Sequence, residues 1–316
     1  MSAEPTTSLA ARRGQLSRLA AYSRLGKLHI VEHWLPAVLA WSLVESGGGT
    51  SAAAVATVAL FAIGVIGIAS AGAAFDDVQG LQDGIDQRTY GRGQAERTAV
   101  NKPLISGALT ERQGVRFAWL ATIAGLTCSI GSIALAPHRP LWLLGAFLVV
   151  ALSAVQYSWG LKLSYHGLGE LVLAAGNAIA FVVPFVFVTG GLSGAAALHV
   201  ALLMTWMTQV TAYSGAADAD IDIENDRLTL MARLRPAGRL RLIAALLAAS
   251  IALVVGGVLL GLLSPAALVA LLPAWALQIR QVGLGRRGEW LRARSLGWRA
   301  YDLAVVALIA IHLLAG

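Results

Sequence analysis

Residues 52–86 read AAAVATVALFAIGVIGIASAGAAFDDVQGLQDGID, in which 24 residues without a charge lead into four aspartates within 11 residues. About 20 consecutive apolar residues suffice for an α-helix to cross the hydrocarbon core of a membrane. The stretch therefore predicts a transmembrane helix with a carboxylate-rich end.

The composition extends this prediction to the whole chain. Of 316 residues, 57% are apolar and only 13% are charged, with a mean hydropathy of +0.69. Soluble domains have about 25% charged residues, so a soluble globular protein is excluded. The single cysteine, Cys128, excludes intrachain disulfides and a cysteine-based metal site.

Apolar stretches of comparable character recur along the sequence and predict an all-α membrane protein with nine transmembrane helices. They cover residues 29–44, 52–75, 115–136, 140–158, 168–190, 196–217, 240–262, 265–282 and 299–315. We expect residues 28–316 to form a single transmembrane domain. The basic segment 1–27 has no continuous apolar core, and we expect it to be disordered or to lie on the cytoplasmic membrane surface.

The positive charge is distributed unevenly between the predicted loops. With nine spans, 23 of the 24 Lys and Arg residues fall on one side and only Arg139 on the other. The positive-inside rule places the side with most Lys and Arg residues in the cytoplasm, together with the N-terminus and the aspartate-rich loops. The C-terminus then lies on the opposite side of the membrane. In a prokaryote this is the plasma membrane. The net charge of +7 is therefore mainly a topology signal, and we expect no nucleic-acid partner.

A second acidic stretch follows the sixth predicted span, where residues 218–226 read DADIDIEND. It lies 142 residues and four spans after the first, which suggests two four-helix halves plus a last helix. On a helix, Asp218, Asp222 and Asp226 would share one face. Asp76, Asp83 and Asp86 would likewise share a face of the first stretch, with Asp77 about 100° away.

Carboxylates at a membrane boundary have a high free-energy cost unless they bind a partner. All-oxygen ligands favour Mg²⁺, and cations follow both acidic stretches at Arg88, Lys102 and Arg227. Carboxylates, a divalent cation and basic side chains together predict a diphosphate site, which beside a lipid-facing cavity implies an isoprenoid diphosphate. The predicted metal ligands are Asp76, Asp77, Asp83, Asp86, Asp218, Asp222 and Asp226.

In its predicted helices and its two acidic motifs, the sequence resembles the UbiA superfamily of intramembrane prenyltransferases from about residue 28 to the end. That family has nine helices and two aspartate-rich motifs, after helices 2 and 6, and its D-x-x-x-D-x-x-x-D motif is matched by Asp218, Asp222 and Asp226. Residues 102–107, KPLISG, resemble the family's R-P-L-x-S-G. Residues 157–172, YSWGLKLSYHGLGELV, resemble the 1,4-dihydroxy-2-naphthoate (menaquinone-type) branch.

The motifs also depart from that branch. Its leading Asn is Asp76 here and its middle Asp is Gly80, with Asp83 as a candidate replacement. In the second motif, Asp218 and Ile221 stand where the branch has Asn and Arg. These departures favour a relative in specialised metabolism over a menaquinone enzyme.

The resemblance implies a mechanism in which Mg²⁺ bridges both aspartate motifs to a prenyl diphosphate, with Asp77, Asp83, Asp86 and Asp222 as catalytic residues. Lys102, Arg88 and Arg227 would neutralise the leaving diphosphate, helped by Lys162 and Tyr157. The resulting allylic cation would be attacked by a small hydrophobic or aromatic acceptor, with Glu170 orienting the acceptor or removing its proton.

Other functions share some of these features. Attack by an internal double bond would make the protein a membrane terpene cyclase. A CDP-alcohol phosphotransferase would carry its aspartates in one contiguous motif, and a transporter would place charges near the bilayer midplane. Because Gly80 stands where the family has an aspartate, a catalytically inactive scaffold protein is a further alternative.

Overall fold

The computed structural model describes residues 17–48, 51–91 and 102–315, and every regular element in these ranges is a helix. Two short 3₁₀ turns lie at Val31–His33 and Leu163–His166. The α-helices are α1 (Arg18–Leu25), α2 (Leu35–Glu45), α3 (Ala52–Gln82), α4 (Ile85–Gly91), α5 (Glu111–Leu135), α6 (Leu141–Val155), α7 (Gly169–Thr189), α8 (Gly194–Glu224), α9 (Leu230–Arg233), α10 (Pro236–Leu259), α11 (Ala266–Ala270), α12 (Leu272–Arg286) and α13 (Trp290–Ala315).

Six of the described helices are long and apolar enough to cross a membrane: α3, α5, α7, α8, α10 and α13. Helices α2 and α6 are apolar but have only 11 and 15 residues. The predicted stretch 265–282 is divided into α11 and α12, with Pro273 in the first turn of α12. The all-α membrane architecture is confirmed, and the count of nine spans stays a prediction.

The acidic stretches are largely helical extensions of the apolar spans. Helix α3 continues to Gln82 and α8 to Glu224, each seven residues beyond the predicted span. Helix α8 ends before Asp226, which has a left-handed φ of 54°. In the second stretch, the expected shared helix face therefore holds for Asp218 and Asp222 only. In the first stretch the expected shared face is wrong, because α3 ends at Gln82 and Asp86 lies on α4.

Part of the basic N-terminal segment belongs to the folded domain. Ser17 caps α1 by accepting a hydrogen bond from the Ala20 backbone N–H at 3.2 Å. Ala21 and Leu25 of α1 are fully buried and pack with Ala71 and Phe75 of α3. Residues 1–16 lie outside the described residues.

Glycines hold α3 and α5 in close contact. A Cβ atom on Gly125 would lie 2.8 Å from the Gly64 carbonyl oxygen, and one on Gly67 would lie 2.7 Å from the Gly125 Cα. Small residues at such crossings let helix backbones approach in a membrane.

Helix α8 is central to the second part of the bundle, because it packs against α7, α10 and α13. Beyond its end, the Leu228 N–H donates to the Tyr165 carbonyl at 3.0 Å, and Arg233 Nη2 donates to the His166 carbonyl at 3.1 Å. The segment after α8 is thereby joined to the turn between α6 and α7, above the acidic helix ends.

Candidate functional site

A continuous chain of contacts connects the two acidic helix ends. Ser158 Oγ donates to Asp76 Oδ1 at 2.6 Å and lies 3.1 Å from Ser164 Oγ. Arg227 Nη2 donates to that Ser164 oxygen at 3.0 Å, and Arg227 Nε lies 3.9 Å from Asp222 Oδ1. The aspartate-rich ends of α3 and α8 are therefore connected through side-chain contacts, and their joint role in one site stays a prediction.

Lys102 lies between two carboxylates of the first acidic stretch. Its Nζ is 2.8 Å from Asp77 Oδ1 and 2.9 Å from Asp86 Oδ2, and the Asp77 residue is 2% exposed. Burial by itself would lower the pKa of Lys102, but Asp77 and Asp86 together hold it well above the ordinary value. The two carboxylates therefore favour the charged ammonium group and define a cation position between α3 and α4.

Gly80 makes room for one of these carboxylates. A Cβ atom on Gly80 would lie 2.7 Å from Asp86 Oδ2. The carboxylate above Gly80 is thus that of Asp86, whereas the sequence offered Asp83 as the replacement for the missing family aspartate. Burial raises the pKa of Asp86, although Lys102 opposes the shift.

Asp83 turns toward the connection between α6 and α7 instead. The Tyr165 hydroxyl donates to Asp83 Oδ2, and Gln79 Nε2 donates to Asp83 Oδ1 at 2.6 Å. Lys162 Nζ lies 4.0 Å from Asp83 and 5.0 Å from the centre of the Tyr165 ring. The Arg227 guanidinium also lies 4.7 Å from the centre of this ring. Tyr165 thus places two cations beside the site.

Asp222 is the buried carboxylate of the second motif, with 5% exposure. Thr229 Oγ1 donates to Asp222 Oδ2 at 2.9 Å. Asp218 is partly buried one turn earlier, while Asp226 and Asp220 are exposed. Among the predicted ligands of the second motif, the structure buries only Asp222 at the contact with the first motif.

The remaining predicted residues have distinct surroundings. Tyr157 lies in the fields of Asp76, Arg227 and Glu170, and burial raises its pKa, so its phenol stays protonated. Glu170 is 9% exposed at the start of α7, facing Gly215 of α8. Arg88 is exposed, and its guanidinium donates to the backbone carbonyls of Asp83 at 3.0 Å and Gly84 at 3.2 Å.

The site can accept a divalent cation that brings other ligands with it. In the described part of the chain, no three His, Cys, Asp or Glu side chains are arranged as a complete metal cage. Mg²⁺ normally binds through one or two carboxylates, waters and substrate phosphates rather than an all-protein cage. Asp77 and Asp86, which already hold an ammonium group between them, fit that chemistry.

Several site residues were not predicted from the sequence. Ser158, Ser164 and Tyr165 lie in the stretch 157–172 but carry no charge, so only their place in that stretch could have indicated a role. Lys27 Nζ lies 3.8 Å from Asp76 Oδ2, although 49 residues separate them in sequence.

A model of the UbiA prenyltransferase family matches residues 34–299. The structure is similar to the apo structure of a UbiA homolog from Aeropyrum pernix K1, with a TM-score of 0.67, 22% identity and coverage of 88% of this chain and 97% of that one. A UbiA homolog from Archaeoglobus fulgidus, solved with GPP and Mg²⁺, gives a TM-score of 0.60 at 14% identity over 92% and 100% of the chains. The structure of digeranylgeranylglyceryl phosphate synthase has a TM-score of 0.63 and 13% identity, with coverage of 95% of this chain and 100% of that one. No curated protein matches the sequence.

The solved structures share the helical fold along nearly the whole chain. The family match confirms the resemblance inferred from the two motifs and argues against the CDP-alcohol phosphotransferase alternative, while the naphthoate branch stays a prediction. Because the family model spans residues 34–299, which include both acidic helix ends and the contacts that join them, the chain belongs to the UbiA prenyltransferase family.

Proposed function

We propose that this protein transfers a prenyl group from an isoprenoid diphosphate to an aromatic acceptor within the membrane, in a Mg²⁺-dependent reaction. The observation that carries the proposal is the contact chain from Asp76 through Ser158, Ser164 and Arg227 to Asp222. It connects carboxylates and cations from both acidic helix ends.

Both aspartate motifs supply proposed ligands for the metal. We assign Mg²⁺ to Asp77 and Asp86 on the first side and to Asp222 and Asp218 on the second, with Asp76, Asp83 and Asp226 as further ligands. Homologs from Archaeoglobus fulgidus were solved with Mg²⁺ and either DMAPP or GPP, which supports this choice of ion. When bound, Mg²⁺ neutralises negative charge that develops on the leaving diphosphate.

The cations of the site bind the diphosphate. Lys102 and Arg227 lie against carboxylates, and each can donate to a diphosphate oxygen. Lys162 approaches from the side of Tyr165, and the protonated Tyr157 can donate as well. Arg88 would have to release the carbonyls of Asp83 and Gly84 before it could contribute.

The reaction breaks the C–O bond of the prenyl diphosphate, and the electron pair leaves with the diphosphate. Cationic donors aimed at the leaving group favour this ionisation, and the apolar helices exclude water that would quench the allylic cation. A ring carbon of the acceptor then bonds to the prenyl carbon and loses its proton. Glu170, a buried carboxyl near Tyr157 and Asp222, is the proposed proton acceptor.

The proposed orientation places this site at the cytoplasmic face. Both acidic helix ends lie on the side that holds 23 of the 24 Lys and Arg residues in the nine-span topology. The prenyl chain would extend between the helices toward the bilayer.

The test is an assay on reconstituted protein with geranyl, farnesyl and geranylgeranyl diphosphates, with Mg²⁺ or EDTA and with or without dihydroxynaphthoate and simple phenolic acceptors. We expect Mg²⁺-dependent diphosphate release that an acceptor accelerates, and its loss in Asp77→Asn and Asp222→Asn. Asp220→Asn, an exposed carboxylate on the same helix, is the matched control and should retain activity.

Two outcomes would contradict the proposal in different ways. A Mg²⁺-dependent cyclic terpene formed equally well without acceptor would show a cyclase. Diphosphates that bind without turnover under every condition would show an inactive scaffold.

A further inference from the structure

Two buried histidines lie at the end of the bundle opposite the aspartate-rich site. His199 lies five residues after the start of α8, and His312 lies three residues before the end of α13. Asp222 lies 23 residues further along α8 than His199, which is about 35 Å at the helical rise. The proposed prenyl transfer therefore makes no use of these two side chains.

The two imidazoles are neighbours inside the bundle. Their ring centroids are 4.9 Å apart, and the rings are inclined by 56°. His199 is 0% exposed and His312 is 7% exposed. Phe181 of α7 stacks parallel to His199 at 5.8 Å and fixes the plane of its ring.

The hydrogen bond of His199 determines which of its nitrogens carries the proton. His199 Nδ1 lies 2.7 Å from the Ala195 carbonyl oxygen. A carbonyl can only accept, so Nδ1 is the protonated nitrogen and Nε2 of the neutral ring presents a lone pair. This Nε2 is buried and has no hydrogen-bond partner.

The same reasoning applies to His312. Ser42 Oγ donates its proton to the Leu39 carbonyl at 2.8 Å and lies 3.2 Å from His312 Nδ1. Since a hydroxyl has one proton, Ser42 accepts from Nδ1–H of His312. His312 Nε2 therefore also presents a lone pair, on a ring beside that of His199.

We propose that His199 and His312 together bind a transition-metal ion of the imidazole-preferring class, such as Zn²⁺, through their Nε2 atoms. Metal-binding histidines characteristically donate the other ring N–H to a carbonyl or a hydroxyl, and both rings do so here. Imidazole ligands favour Zn²⁺, Cu²⁺ and Ni²⁺ over Mg²⁺.

The ring separation fits this coordination. With metal–nitrogen bonds of about 2.0 Å, each ring centroid lies about 3 Å from the ion. Centroids 4.9 Å apart then correspond to a nitrogen–metal–nitrogen angle near the tetrahedral value. No third His, Cys, Asp or Glu completes a site among the described residues, so the proposal requires water or a small anion at the other positions. Through His199 and His312 the ion links α8 to α13, far from the diphosphate site.

The test uses purified protein without a histidine tag, with excess Mg²⁺ present to occupy the carboxylates. We expect about one Zn²⁺ per chain after dialysis, a higher Tm with Zn²⁺ than with EDTA, and loss of both effects in His199→Phe and His312→Phe. His138→Ala is the control, because His138 is exposed in the α5–α6 connection at the same end of the bundle.

Unchanged Zn²⁺ content in His199→Phe, or a wild-type Tm that does not respond to Zn²⁺, would overturn the proposal. If the phenylalanine variants fail to fold, the wild-type protein loaded with Cu²⁺ provides the test of the proposed site. Electron paramagnetic resonance should then show hyperfine coupling to two imidazole nitrogens, and coupling to none would refute the site.

Discussion

At Gly80, where the family motif has an aspartate, the missing side chain leaves room for another carboxylate of the same motif. The space that a side chain at Gly80 would fill is taken by the Asp86 carboxylate, six residues later in the sequence. Asp86 matches the last aspartate of the family motif by spacing, so it fills the space of the missing middle aspartate without restoring the carboxylate that the motif has lost.

We expect Gly80→Ala to push Asp86 away from Lys102 and to reduce prenyl diphosphate turnover at least 10-fold, because the new Cβ would lie 2.7 Å from Asp86 Oδ2. The control is Gly145→Ala on α6, where an added Cβ meets no atom within 4 Å. Equal turnover of the two variants in the diphosphate-release assay would contradict this assignment.

Lys102 gives a second residue-scale prediction. Lys102→Met leaves Asp77 and Asp86 without their shared cation, and removing one partner of a buried ion pair costs about 3–5 kcal/mol. We expect a lower Tm that Mg²⁺ raises more in the variant than in the wild type, since the ion can replace the ammonium group. Lys162→Met, whose cation is 4.0 Å from Asp83 and partly exposed, should show no such extra response.

At this scale the sequence predicted the charged residues of the site better than their partners. The positions of Lys102, Asp77 and Asp222 after apolar spans were sufficient to nominate them. Ser158 and Lys27 could not be nominated, because their contacts with Asp76 arise only when distant segments pack together.

Among the helices, the crossing of α3 and α5 depends on glycine. Gly125→Ala would place a methyl group 2.8 Å from both the Gly64 carbonyl and the Ile68 backbone nitrogen, which cannot rotate away. We expect a clear fall in the Tm measured in detergent. Gly131→Ala on the same helix meets only the flexible Leu60 side chain at 3.6 Å, and it should be neutral or slightly stabilising. A Gly125→Ala protein as stable as Gly131→Ala would show that the two helices can separate freely.

The apolar stretches predicted the interior of each long helix, and the helix ends were the less accurate part. Helices α3 and α8 carry polar residues well beyond their apolar parts, and hydrophobicity contains no signal for that continuation. Conversely, α12 begins where Pro273 interrupts an apolar run that looked continuous.

For the whole molecule, the uneven distribution of Lys and Arg makes a prediction about orientation. Cys128 is the only cysteine, so a Cys128→Ser background allows single cysteines to be placed at chosen sites. In inside-out vesicles, a membrane-impermeant maleimide should label cysteines at positions 5 and 95 but not at position 191. Labelling of all three from the same side would contradict the three spans predicted between positions 95 and 191.

The short connection between α6 and α7 carries Ser158, Ser164 and Tyr165, which contact Asp76, Arg227 and Asp83 respectively. Every carboxylate of the site belongs to another part of the chain. Splitting the polypeptide into two co-expressed fragments at residue 161 would thus keep every acidic side chain of the site. It would cut only the connection whose side chains contact Asp76, Arg227 and Asp83. This connection of 13 residues, 156–168, contacts two carboxylates of the site and contributes none of its own.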